Sequence, residues 1–110
     1  MQILKDLIEH LELVLPVDLT IKTRKGKDCD AFYLPIHSQR TGKLKGHRIV
    51  IYTVDTGRTF EALLAHELIH AAQEENRKLE IHGEYFVELA RELEDLYSLD
   101  DIYDPEIDTD

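Results

Sequence analysis

The chain is poor in the residues that staple or punctuate a fold: one cysteine, Cys29, no tryptophan, three prolines and five glycines in 110 residues. A single cysteine excludes an internal disulfide and suits a reducing, cytoplasmic setting. Nowhere does an apolar run approach the roughly 20 residues that span a bilayer, so no membrane partner is expected. Residues 1–15 are interrupted by Lys5, Asp6, Glu9 and Glu12, which leaves no uncharged core of the kind a secretory signal needs. There is no internal repeat or low-complexity tract. Positive charge is also scarce. The formal net charge of −10 argues against general affinity for nucleic acid. The basic residues are nonetheless concentrated, with Lys22, Arg24, Lys25, Lys27, Arg40, Lys43, Lys45 and Arg48 opposed locally only by Asp28 and Asp30. Such a segment can meet phosphates or an acidic partner. No aromatic stacking platform accompanies these charges, so lysines that keep sheet edges solvated are the preferred reading of 22–48.

What is present describes one small domain with a single core: 43% hydrophobic and 33% charged residues over 110 positions. Ile3, Leu4, Leu7, Ile8 and Leu11 recur at helical spacing and stop before Pro16. Val17, Leu19 and Ile21 alternate with polar neighbours over 17–23, which predicts a half-buried strand. After a turn at Gly26-Lys27-Asp28, residues 31–36 read as a second strand that Pro35 confines to an edge or an end. Residues 38–46 read as a loop, and 47–54, rich in β-branched and aromatic residues, as the clearest strand. Asp55-Thr56-Gly57-Arg58-Thr59 then supplies turn and capping residues for a helix with Phe60, Leu64, Leu68 and Ala71 along one side. A polar stretch from Glu74 to Lys78 ends it, and Gly83 offers a place to reverse the chain. Phe86, Leu89, Ala90, Leu93 and Leu96 predict a second amphipathic helix. The end of the chain carries Asp100, Asp101, Asp104, Glu106, Asp108 and Asp110, and reads as a disordered, solvating tail. The expected fold is α+β: an N-terminal helix, a small three-stranded sheet and two further helices, forming one domain over 1–99 with an acidic tail over 100–110.

Within the first of those two helices, His66-Glu67-Leu68-Ile69-His70 puts two imidazoles one turn apart on a single face. Glu67 lies roughly 100° around from His66, near enough to hold a water without ligating a metal itself. This is the H-E-x-x-H arrangement of zinc hydrolases. Ala62 and Gln73 share the histidine side, away from the apolar flank. Two histidines leave a catalytic zinc site one protein ligand short. His82, followed by Gly83 and the second helix, is the leading third ligand. Glu88 and Glu92 are the alternatives on that helix, and the ordinary explanation for both is a solvated face. The longer pattern H-E-x-x-H-x-x-G-x-x-H is excluded, because Gln73 and Asn76 stand where it needs Gly and His. Tyr85 is the nearest tyrosine in sequence, though a tyrosine there more often packs with its hydroxyl at the surface. His10, His37 and His47 have no ligating spacing and read as surface or loop residues.

His66-Glu67-Leu68-Ile69-His70 followed by His82-Gly83-Glu84-Tyr85-Phe86 resembles the SprT-like metallopeptidase domain, whose relatives include the Spartan proteases that cleave proteins crosslinked to DNA. The family pairs H-E-L-x-H with a downstream H-G-x-x-F, and both pieces stand here in that order. The specific likeness covers about 59–96. It implies a minimal zincin-like fold, Zn2+ as cofactor, His66, His70 and His82 as ligands, and Glu67 as catalytic acid/base. A protein or peptide would be the substrate. The other expectation, from a different class, is a non-catalytic zinc-containing binding or regulatory protein on the same scaffold.

Overall fold

The computed structural model describes residues 1–27, 29–78, 80–105 and 108. Its element order is α1 (Gln2–His10), β1 (Val17–Lys22), β2 (Ala31–His37), β3 (Leu44–Tyr52), α2 (Phe60–Glu75) and α3 (Glu84–Tyr97). This is the expected α+β layout of three helices and a three-stranded sheet. No helix among the described residues is long and apolar enough to cross a membrane.

The strand order is β1-β3-β2, so the last strand enters the middle, parallel to β1 and antiparallel to β2. β3 takes that place because it has buried residues on both faces: His47, Ile49 and Ile51 on one, Val50 on the other. It begins at Leu44, three residues earlier than its β-branched run suggests, because pairing with β2 extends back to His37↔Leu44 through a bulge. Pro35 is accommodated because β2 is an outer strand, as a residue without an N–H requires. Gly26, between β1 and β2, has no room for a Cβ, which would strike the Cys29 carbonyl and come within 2.8 Å of the Tyr52 ring.

α2 starts where the capping residues place it: the Thr59 hydroxyl accepts from the Ala62 amide at 3.1 Å, and Glu61 adds favourable charge to the first turn. Its burial is wider than one apolar stripe. Residues from Ala62 to Gln73 are buried apart from His70, because the sheet covers one flank while α1 and α3 cover others. The reversal after α2 is made by Arg77 in the left-handed region (φ 55), whereas Gly83 caps α3 in extended conformation. α3 buries Phe86, Ala90 and Leu93, but Leu96 is 57% exposed and lies outside the core cluster of the described residues.

Glu75 ties this frame together. Its carboxylate accepts from the Val14 and Leu15 amides and from His47, whose Nε2 is 2.6 Å away. Burial pushes the Glu75 carboxyl up, but these donors outweigh it and hold the group below its ordinary range. His47 is therefore not the surface residue its spacing suggested. It is fully buried, with Nδ1 2.7 Å from the Tyr33 hydroxyl.

The chain's end also differs from expectation. Ile102 is fully buried in the core, and Asp108 makes a two-point contact with Arg58. Ile102 and Tyr103 are apolar anchors set among carboxylates, and they dock the segment that charge alone would leave in water. Glu106 and Asp110, part of the same expected tail, lie outside the described residues.

Candidate metal centre

His66 and His70 project from one face of α2, and the loop before α3 brings His82 against them. The three ring centroids lie 5.0–5.2 Å apart, and one nitrogen from each ring falls within 4.8 Å of the others. Among the described residues this is the group of histidine, cysteine and acidic side chains arranged to hold an ion. Phe86 explains why the three rings stay together. It is fully buried, and its ring centroid is 4.8 Å from each imidazole. The aromatic that completes H-G-x-x-F is thus the floor beneath all three histidines.

Tautomers follow from the hydrogen bonds behind the rings. His66 Nδ1 donates to the Ile102 carbonyl, which leaves Nε2 with its lone pair. His70 Nδ1 faces the Gln73 Oε1 at 2.8 Å. The Gln73 amide nitrogen donates to the carbonyls of Glu80 and Ile81, both at 2.9 Å, so its oxygen must be the atom turned to His70. His70 Nδ1 is then the donor, and its Nε2 is free to ligate. Burial keeps both rings neutral: it lowers His66 and brings His70 down to about 4. Neutral imidazoles oriented by outer hydrogen bonds suit a divalent transition metal. Gln73 was grouped with the histidines by spacing, but its bracing role was not legible, because its partners lie in a loop. Gln73→Ala is expected to weaken metal affinity about 10–100-fold in a chelator-competition titration. Unchanged affinity would reduce Gln73 to a brace for the loop.

Glu67 supplies a second sign of function. Its side chain is 6% exposed, and Oε2 has no hydrogen-bond partner among the described residues. Desolvation, reinforced by Asp108 and opposed by Arg58, pushes its carboxyl up to about 8. A buried carboxylate oxygen without a partner is costly, and such groups gather at functional sites. A cation held by the neighbouring histidines would offset that cost, so the donor set and Glu67 fit a metal ion together.

The site opens into a cleft of about 880 Å³, with His66, Glu67 and His70 on one wall and Ala31, Phe32 and Tyr33 of β2 on another. Glu88 and Glu92 do not join the centre: Glu88 is exposed, and Glu92 pairs with His10 at 3.3 Å. Tyr85 does not line the cleft, and its hydroxyl accepts from Asn76 at 3.2 Å. The tyrosine that does line it is Tyr33, whose ring stacks on His70 with centroids 6.4 Å apart. No family model, curated protein or solved structure matches the chain.

Proposed function

We propose that this protein is a zinc metallopeptidase of the SprT-like kind that its two motifs resemble. The observation that carries the reading is Glu67, a buried carboxyl group with an unpartnered oxygen beside the cluster of His66, His70 and His82 at the wall of an open cleft. A purely structural metal site has no use for that carboxylate. His66, His70 and His82 would hold the ion. Zinc in a three-histidine site supplies Lewis acidity towards a carbonyl and lowers the pKa of a water to about 7. Glu67 takes the proton of the attacking water at its free oxygen and returns it to the departing amine.

The outer strand β2 is suited to align an extended substrate. His47 donates its amide to Pro16, and Tyr52 donates to Asp30, so alternate residues of β3 face β1 and β2. By that alternation Phe32 and Leu34 bond inward, while Ala31 and Tyr33 turn their N–H and C=O groups outward along the cleft. A peptide added there would gain backbone hydrogen bonds with little regard to sequence. Pro35, without an N–H, ends that row of donors. A peptide or unfolded protein is accordingly the substrate class, and the single cysteine favours a cytoplasmic setting. The test is zinc-loaded protein incubated with a library of extended peptides and read by mass spectrometry. Cleavage abolished by a chelator supports the reading. Intact peptides under full zinc loading would leave a non-catalytic zinc protein.

A further inference from the structure

We infer that the segment following α3 is a working part of the metal centre: the Ile102 carbonyl and Asp108, clamped by Arg58, are positioning groups for His66, so docking of this segment and metal binding strengthen one another. The inference rests on the metal-site reading above and adds to it a part of the chain that neither motif reaches.

Three layers of contact support it. The apolar layer is Ile102, fully buried, with Tyr103 packed 5.0 Å from the His82 ring and 5.6 Å from Phe86. The backbone layer is held by α3: the Ile102 amide donates to Glu94 at 3.0 Å, and Arg91 donates to the Tyr103 carbonyl at 3.2 Å. Together these aim the Ile102 carbonyl at His66 Nδ1. The charged layer is Asp108, whose two oxygens accept from Arg58 at 2.9 and 2.6 Å with both side chains nearly buried. The Asp104 amide also donates to it at 2.7 Å, and its nearer oxygen lies 4.0 Å from His66 Nδ1. Arg58 directly precedes Thr59, the cap of α2, so the clamp fastens this carboxylate to the start of the metal-bearing helix.

A passive staple would not need this placement. Outer partners of a ligating histidine are typically worth about 10–100-fold in metal affinity. Here the Ile102 carbonyl fixes the His66 ring, and Asp108, 4.0 Å from the same nitrogen, adds a negative charge behind it. The case is sharper here, since three neutral ligands leave a dication's charge to be balanced by the carboxylates around the site, Glu67 and Asp108. Neutralising Asp108 would also leave the Arg58 cation beside that dication. Coupling is reciprocal, so whatever factor the docked segment adds to metal affinity, bound metal adds to docking.

The experiment is zinc affinity by chelator competition for wild type, Asp108→Asn and Asp95→Asn, with thermal unfolding of each metal-free form. Asp95 lies exposed on α3 and controls for the change in net charge. The expected result is affinity lowered about 10–100-fold in Asp108→Asn, with the Asp95→Asn affinity near wild type. Metal-free Asp108→Asn should also unfold at a lower temperature, because the Arg58 charge loses its partner. Amide hydrogen exchange at Ile102 and Tyr103 in wild type is the companion measurement and needs no variant. Zinc is expected to slow it by a similar factor. Equal zinc affinities in Asp108→Asn and wild type, or exchange indifferent to zinc, would overturn the inference while leaving the metal site standing. A wild type that binds no zinc would instead remove the metal-site reading itself, and the inference with it.

Discussion

Glu67→Gln is expected to lower peptide hydrolysis by at least about 10²–10⁴-fold while leaving zinc content near that of wild type. The amide keeps the size of the carboxyl but cannot accept the proton that the attacking water gives up. Ligation should persist, because His66 and His70 are oriented by Ile102 and Gln73 rather than by Glu67. A second signature appears in the metal-free protein. Burial raises the Glu67 carboxyl from about 4.5 to about 8, so the folded state holds its proton where the unfolded chain has lost it. Stability contributed by that proton is fully present below the unfolded pKa and is lost as pH rises through the folded one. The Glu67 contribution should therefore fall between about pH 4.5 and 8, by up to about 1.4 kcal/mol per unit. It is read as the difference in slope between metal-free wild type and Glu67→Gln, because His66 and His70, both lowered by burial, contribute in the opposite sense below about pH 6.5 in both proteins. Full activity in the variant would refute the assigned acid/base. Loss of zinc together with activity would make Glu67 part of the ligand set instead.

Removing the metal should produce the largest change in stability. A ligand that binds only the folded state at 100 times its Kd contributes about 2.7 kcal/mol. In a domain of this size each kcal/mol moves Tm by about 4–8 °C, so chelation is expected to lower Tm by roughly 10–20 °C. Restoring zinc should recover it. The reason lies in the packing: His66, His70 and His82 gather around Phe86 with ligating nitrogens facing one another, an arrangement the unfolded chain does not offer. A Tm indifferent to chelator and to added zinc would mean that the histidines pack without holding an ion.

Much of this molecule was legible in its residues because the signals were local. The helix bearing His66 and His70 was marked by its cap and its apolar spacing, and His82 by the glycine and amphipathic run that follow it. The misreadings have a common cause in contacts made across the chain. His47 looked like an unassigned histidine, but it alternates with Ile49 and Ile51 on the buried face of β3, and that period was a usable signal. Its partners, Tyr33 and Glu75, are 14 and 28 residues away, beyond the reach of pattern. Ile102 and Tyr103 form too short an apolar pair to register among carboxylates, yet they dock the segment. Leu96 fails for the opposite reason. Its spacing is correct, but it stays outside the core that the described residues form. The partners that orient the histidines were hidden because one is a backbone carbonyl, invisible to any motif, and the other is a glutamine fixed by a distant loop.

The most direct test of the three-histidine centre is the metal content of the purified protein, measured by mass spectrometry without exposure to chelators and repeated on His82→Ala. The account predicts about one zinc per chain in wild type and little in the variant. Wild type without metal would contradict the centre, and zinc retained by His82→Ala would contradict the assignment of its third ligand.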